Sequence, residues 1–107
     1  MKRPRPDAGD RLAHALRAAF AKRGVAPGIE ETTSQDWTSI TFSGARHRLR
    51  LRFGGEGAGA AADALIAGIE LDLRGHVLVD LAILSDERDE AGTLARLEIE
   101  ALTVETL

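Results

Sequence analysis

Four arginines at alternate positions, Arg46, Arg48, Arg50 and Arg52, form the densest run of charge in the chain. On an extended backbone alternate residues point to one side. The four guanidinium groups would then make a ladder able to grip successive phosphates, with Trp37 nearby as a surface for base stacking. The same ladder has a structural reading. Glu98 and Glu100 alternate in the same manner near the end of the chain, and opposite charges paired across strands stabilise a sheet by about 0.2–1 kcal/mol each. Arginine outnumbers lysine 12 to 2, so the choice of Arg at any one site carries little recognition information.

The stretch Gly55-Glu56-Gly57-Ala58-Gly59-Ala60 satisfies the relaxed dinucleotide fingerprint G-x-G-x-x-A, after an expected strand and at the start of an expected helix. Three features oppose phosphate binding. Glu56 would sit beside the phosphates, the preceding strand belongs to a hairpin, and 107 residues are too few for a full doubly wound domain. The alternative is a turn that lets a helix of small residues pack closely, and no cofactor is assigned.

General acid-base catalysis needs titratable groups that converge. His14 falls on a polar helix face, while His47 and His76 begin strands of opposite parity. Asp80, between Val79 and Leu81 in the most apolar strand, would be a base with a raised pKa if buried alone, and an ordinary outward carboxylate if paired with an arginine. With no cysteine, no H-x-x-x-H spacing, no G-x-S-x-G elbow and no Walker loop, thiol, zinc and nucleotide chemistry lack their usual residues. No metal or catalytic residue is assigned, and the reading is of a protein that is not an enzyme.

Composition bounds the scaffold. A chain of 107 residues, 44% hydrophobic and 29% charged, fits one compact soluble domain over residues 1–107, large enough to bury roughly 60–70% of its unfolded surface. No run of about 18 apolar residues occurs, and His14 and Arg17 interrupt the apolar stretch after the basic start, so the expected location is cytoplasmic, with no membrane partner. The net charge of -3 conceals an asymmetry: residues 1–53 hold 11 basic against 5 acidic side chains, residues 54–107 hold 3 against 12.

The elements that position these residues follow from periodicity. Residues 1–6, MKRPRP, read as a flexible basic arm. A helix follows, capped by Asp7 or Asp10, with Leu12, Ala13, Leu16, Ala19 and Phe20 on one face and a stop at Gly24 and Pro27. Strands are expected over Ile29–Ser34, Trp37–Ser43 and Arg46–Phe53, the last two joined by Gly44-Ala45, with Ile40 and Phe42 inward and Trp37, Ser39 and Thr41 beside the arginines. A second helix carries Ala58, Ala61, Ala62, Leu65 and Ile69 and ends by Gly75. Two strands, His76–Leu84 and Thr93–Val104, flank the polar turn Ser85–Gly92, and a bulge is expected near Ala101–Leu102, where apolar residues change parity. No internal repeat is visible. The fold class is α+β, a two-layer sandwich of a mainly antiparallel sheet with two helices on one face, in the order α-β-β-β-α-β-β.

On the parity opposite the core, Leu78, Asp80, Ala82 and Leu84 join Trp37, Leu102 and Val104 in a mixed apolar and charged face of the kind found in protein interfaces. A central strand buried on both sides would explain Leu78 and Leu84 equally. The leading expectation is a protein-interaction module that forms a homodimer through its sheet face, using Trp37, Arg46, Arg48, Arg50, Arg52, Leu78, Asp80 and Leu84, a two-fold axis pairing each basic half with the other's acidic half. The alternative is nucleic-acid or polyanion binding by the arginine ladder, assisted by Lys2–Arg5.

Overall fold

The computed structural model describes residues 8–106. The basic arm and the candidate cap Asp7 lie outside that range. Helix α1 (Ala8–Ala21) buries Leu12, Leu16 and Phe20 as expected of helical spacing, with Ala15 buried beside them and the expected Ala13 and Ala19 half-buried. It closes as the sequence requires. Val25 N–H donates to Phe20 O at 3.0 Å and Gly24 N–H to Ala21 O at 3.0 Å, the paired bonds of a Schellman motif, with Gly24 at φ 73° in the left-handed region where a side chain is disfavoured. Val25 then packs against the core.

Four strands follow: β1 (Gly28–Thr38), β2 (Ser43–Gly54), β3 (His76–Arg88) and β4 (Leu94–Glu105), with helix α2 (Ala58–Ala67) between β2 and β3. All pairings are antiparallel and the order across the sheet is β1-β2-β4-β3. The fold is α+β, as expected, but its element order is α-β-β-α-β-β. The two short strands expected over Ile29–Ser34 and Trp37–Ser43 are one strand that continues to Thr38.

The turn after it is Ser39–Phe42 rather than Gly44-Ala45. Ser39 N–H donates to Phe42 O at 2.7 Å, and Phe42 N–H donates to Ser39 Oγ at 3.0 Å, closing the four-residue loop. Ile40 and Phe42, expected in the core, therefore stand at the hairpin tip, 104% and 57% exposed. Gly44 lies inside β2 opposite Trp37. A Cβ there would meet Trp37 Cζ2 at 2.8 Å and collide with the Thr103 carbonyl, so the glycine is what allows the indole to lie against the sheet.

The chain runs through α-β-β twice, with α1 starting at Ala8 and α2 at Ala58. β2 and β4 meet at the centre as an antiparallel pair. The two units are thus related by an approximate two-fold axis normal to the sheet, a repeat of architecture that the residues do not show. Both helices cover one face. There Leu49, Leu51, Phe53, Ala95, Leu97, Ile99 and Ala101 point inward onto Leu12, Leu16 and Phe20 of α1 and Ala58, Ala61, Ala62 and Leu65 of α2. Phe20 and Phe53 meet at 4.9 Å between ring centroids, tilted 57°, a geometry that adds about 0.5–1.5 kcal/mol beyond area burial. Helix α2 stops at Gly68, and Ile69, Leu71 and Leu73 follow outside any helix or strand and pack against the same core.

The turn from β3 to β4 is organised by Asp89. Its Oδ1 accepts from Thr93 N–H at 2.9 Å and Leu94 N–H at 3.0 Å, and its Oδ2 from Thr93 Oγ1 at 2.8 Å. These donors, the Thr93 hydroxyl foremost, hold the Asp89 carboxyl below its ordinary value of 3.8. The folded state thus favours the ionised form. Its contribution to stability is complete above pH 3.8 and is lost as pH falls through the lowered folded value. Asp89→Asn is expected to be less stable than wild type at pH 7, with the difference shrinking in acid below pH about 4; urea titrations at several pH values check this.

Gly44→Ala is expected to cost about 1–3 kcal/mol by overpacking and to change the emission of Trp37, the single tryptophan. Thermal denaturation followed by fluorescence reads both.

Candidate functional site: the open face of the sheet

The sheet face away from the helices has no covering element among the described residues. Register places its side chains in rows. From one end these are Trp37, Gly44, Val104 and Val77; then Gln35, Arg46, Leu102 and Asp80; then Thr33, Arg48, Glu100 and Ala82; then Glu31, Arg50, Glu98 and Ser85. Beyond them Arg52 stands opposite Arg96 and Arg96 opposite Glu87. One end is therefore apolar and the middle is ionic.

Every arginine of the middle rows is answered by a carboxylate. Arg46 Nε lies 3.6 Å from Glu100, Arg48 bridges Glu100 at 3.1 Å and Glu98 at 3.8 Å, and Arg50 bridges Glu31 at 3.4 Å and Glu98 at 4.0 Å. Arg96 reaches Glu30 at 3.7 Å. Arg52 has no ion-pair partner among the described residues. The arginines remain more than half exposed while Glu98 and Glu100 are about one-third exposed or less, so the basic column forms the outer surface of the network.

The expected interaction residues separate. Trp37, Arg46, Arg48, Arg50, Arg52, Asp80 and Leu84 stand on the open side, but Leu78 does not. It pairs with Thr103 on the helix-facing side and packs against the core. The reason is a bulge in β3 between Leu78 and Asp80, which adds a residue and resets the alternation; a second bulge lies further on, between Ile83 and Ser85. Val79 and Leu84 are the extra residues, 55% and 46% exposed. The bulge expected near Ala101–Leu102 is absent. β4 runs in unbroken register with β2, and Leu102 and Val104 are apolar residues of the open face. Val77 belongs to the same patch.

Asp80 is exposed and makes no ion pair among the described residues, because Leu102 stands across from it. It shares no site with His76, which falls on the helix-facing parity opposite Glu105. His47 is buried in the core and satisfied there. Its Nδ1 lies 2.7 Å from Ser34 Oγ, its Nε2 lies 2.9 Å from Thr103 Oγ1, and the Thr103 hydroxyl donates to Ala45 O at 3.4 Å. Each ring nitrogen thus has a hydroxyl partner, and a hydroxyl can donate or accept, so either neutral tautomer is satisfied there. The chain fastens β1, β2 and β4 together. Two inward-parity hydroxyls, Ser34 and Thr103, were its signal in the sequence.

His14 lines a groove of about 650 Å³ between α1 and the segment after α2, with Lys22, Glu70, Asp72 and Arg74. Among the described residues no group of three or more His, Asp or Glu could hold a metal, and no helix is long and apolar enough to cross a membrane. In the glycine-rich loop, Gly55 N–H donates to Thr93 O at 2.7 Å, just before β4, and Ala58 N–H donates to Gly55 O at 3.2 Å within the turn itself. Neither a family model nor a curated protein matches the chain.

Exposed ion pairs contribute little singly. A double-mutant cycle on Arg48→Ala and Glu100→Ala is expected to give a coupling of about 0.2–1 kcal/mol, smaller in 1 M salt; urea denaturation of the four proteins measures it.

Proposed function

We propose that this protein is a non-catalytic interaction module whose docking surface is the open sheet face and whose partner is a second copy of the same chain. The observation that carries the reading is the apolar end of that face. Trp37, Val77, Leu102 and Val104 gather there, with the exposed bulge residue Val79 next in sequence to the row of Asp80, and the hairpin tip adds Ile40, fully exposed, and Phe42, more than half exposed. An aromatic and aliphatic cluster bordered by arginines is the usual composition of a contact patch. The internal pairing of Arg46, Arg48 and Arg50 weighs against polyanion binding, since a run of phosphates along the column would lie beside Glu98 and Glu100 and meet their like charge.

Light scattering after size exclusion is expected to give twice the mass of one chain; a monomer across the accessible concentration range would remove the reading. The paired substitution Ile40→Asp with Phe42→Asp is expected to yield a monomer whose melting temperature, measured at a concentration where wild type is also monomeric, is unchanged. Both side chains are exposed, so loss of the dimer cannot be ascribed to loss of the fold.

A further inference from the structure

The charge pattern of the open face selects one way for two copies to meet. Two identical faces can be apposed by a two-fold axis lying between them, and the two limiting directions of that axis are along the strands and across them. An axis across the strands lays β2 over β2 and β4 over β4. Arg48 and Arg50 would then face the second copy's arginines, and Glu98 and Glu100 its glutamates. It would also set the apolar end of each face on the ionic rows of the other.

An axis along the strands, between β2 and β4, does the reverse. It lays β2 of one copy over β4 of the other, so that Arg48 meets the second copy's Glu100 and Arg50 its Glu98. Each two-column ladder becomes a network of alternating sign. The same operation brings the apolar ends together, Trp37 over Val77 and Gly44 over Val104, with the Ile40–Phe42 tip of each hairpin over the start of the second copy's β3. Arg52 and Arg96 meet only at the far rim, where water screens them.

We infer that the protein dimerises by stacking open sheet faces about a two-fold axis parallel to the strands, β2 on β4. The inference rests on the self-association proposed above and specifies its geometry. The available area is adequate. Four strands about 4.8 Å apart and about 11 residues long at 3.4 Å each span roughly 700 Å² per copy, close to the roughly 800 Å² per partner of a standard interface.

The chain has no cysteine, so introduced thiols report without background. Thr33 and Ala82 are exposed, share a row of the open face and occupy its two edge strands. Within one copy three strand spacings, about 14 Å, separate them. In the strand-parallel dimer each faces the other across the roughly 10 Å between stacked sheets. A bifunctional thiol reagent spanning about 8 Å is expected to give covalent dimer with the double variant Thr33→Cys/Ala82→Cys, and with an equimolar mixture of the two single variants. Neither single variant should link to itself.

Self-linking of Thr33→Cys alone would establish the cross-strand axis and overturn the inference while leaving the sheet-face dimer standing. No linking in a protein whose mass in solution is that of a dimer would overturn the strand-parallel axis. A monomeric mass would instead remove the self-association on which the inference rests.

Discussion

The junction of β2 with β4 is the constraint on which the rest of the molecule depends. It joins the two α-β-β units, and both of its sides are used. Toward the helices Leu49 meets Ile99 and Leu51 meets Leu97, all buried; toward the open side Arg48 meets Glu100 and Arg50 meets Glu98. Both helices pack on this pair and both edge strands hang from it. The opposite charges of the two halves of the chain thereby gain a structural meaning: the basic unit and the acidic unit are fastened along the line where their charges face each other.

Placing the charges on one side and the helices on the other leaves a sheet with unequal faces. The inner face is closed by alanine-rich α2, whose Ala58, Ala61 and Ala62 allow close approach, and by larger side chains of α1. The His47 chain belongs to the same economy of space. A histidine in the core is tolerated because Ser34 and Thr103 flank it from the strands on either side, and a buried polar group that is fully satisfied adds definition to the register rather than a penalty.

Much of this was legible in the residues, and the exceptions have physical causes. The alternation in β2 is unbroken from Arg46 to Phe53, so its two faces could be assigned from sequence. The same rule failed at Ile40 and Phe42, whose β-type side chains extend the apparent strand; what ends it is the Ser39 hydroxyl, a short-range hydrogen bond that periodicity does not register. It failed again at Leu78, because a bulge leaves no mark in composition and one inserted residue reverses every later assignment. The open face itself was readable as mixed, with Arg46, Arg48, Arg50 and Asp80 placed correctly. The second carboxylate partners Glu30 and Glu31 were not, since they come from an edge strand whose register could be known only once it was paired.

The bulges at Val79 and Leu84 also bear on how large an assembly of this chain can become. β3 is a long edge strand with exposed apolar residues, the type of edge that recruits further strands and grows into fibres. Two interruptions within 13 residues break the even spacing of its outward amides and carbonyls, and β1 at the opposite edge is lined with Glu, Asp, Ser and Thr. Both margins thus carry features that oppose lateral growth. Contact through a face related to itself by a two-fold axis consumes that face completely, so an assembly built this way terminates at two chains.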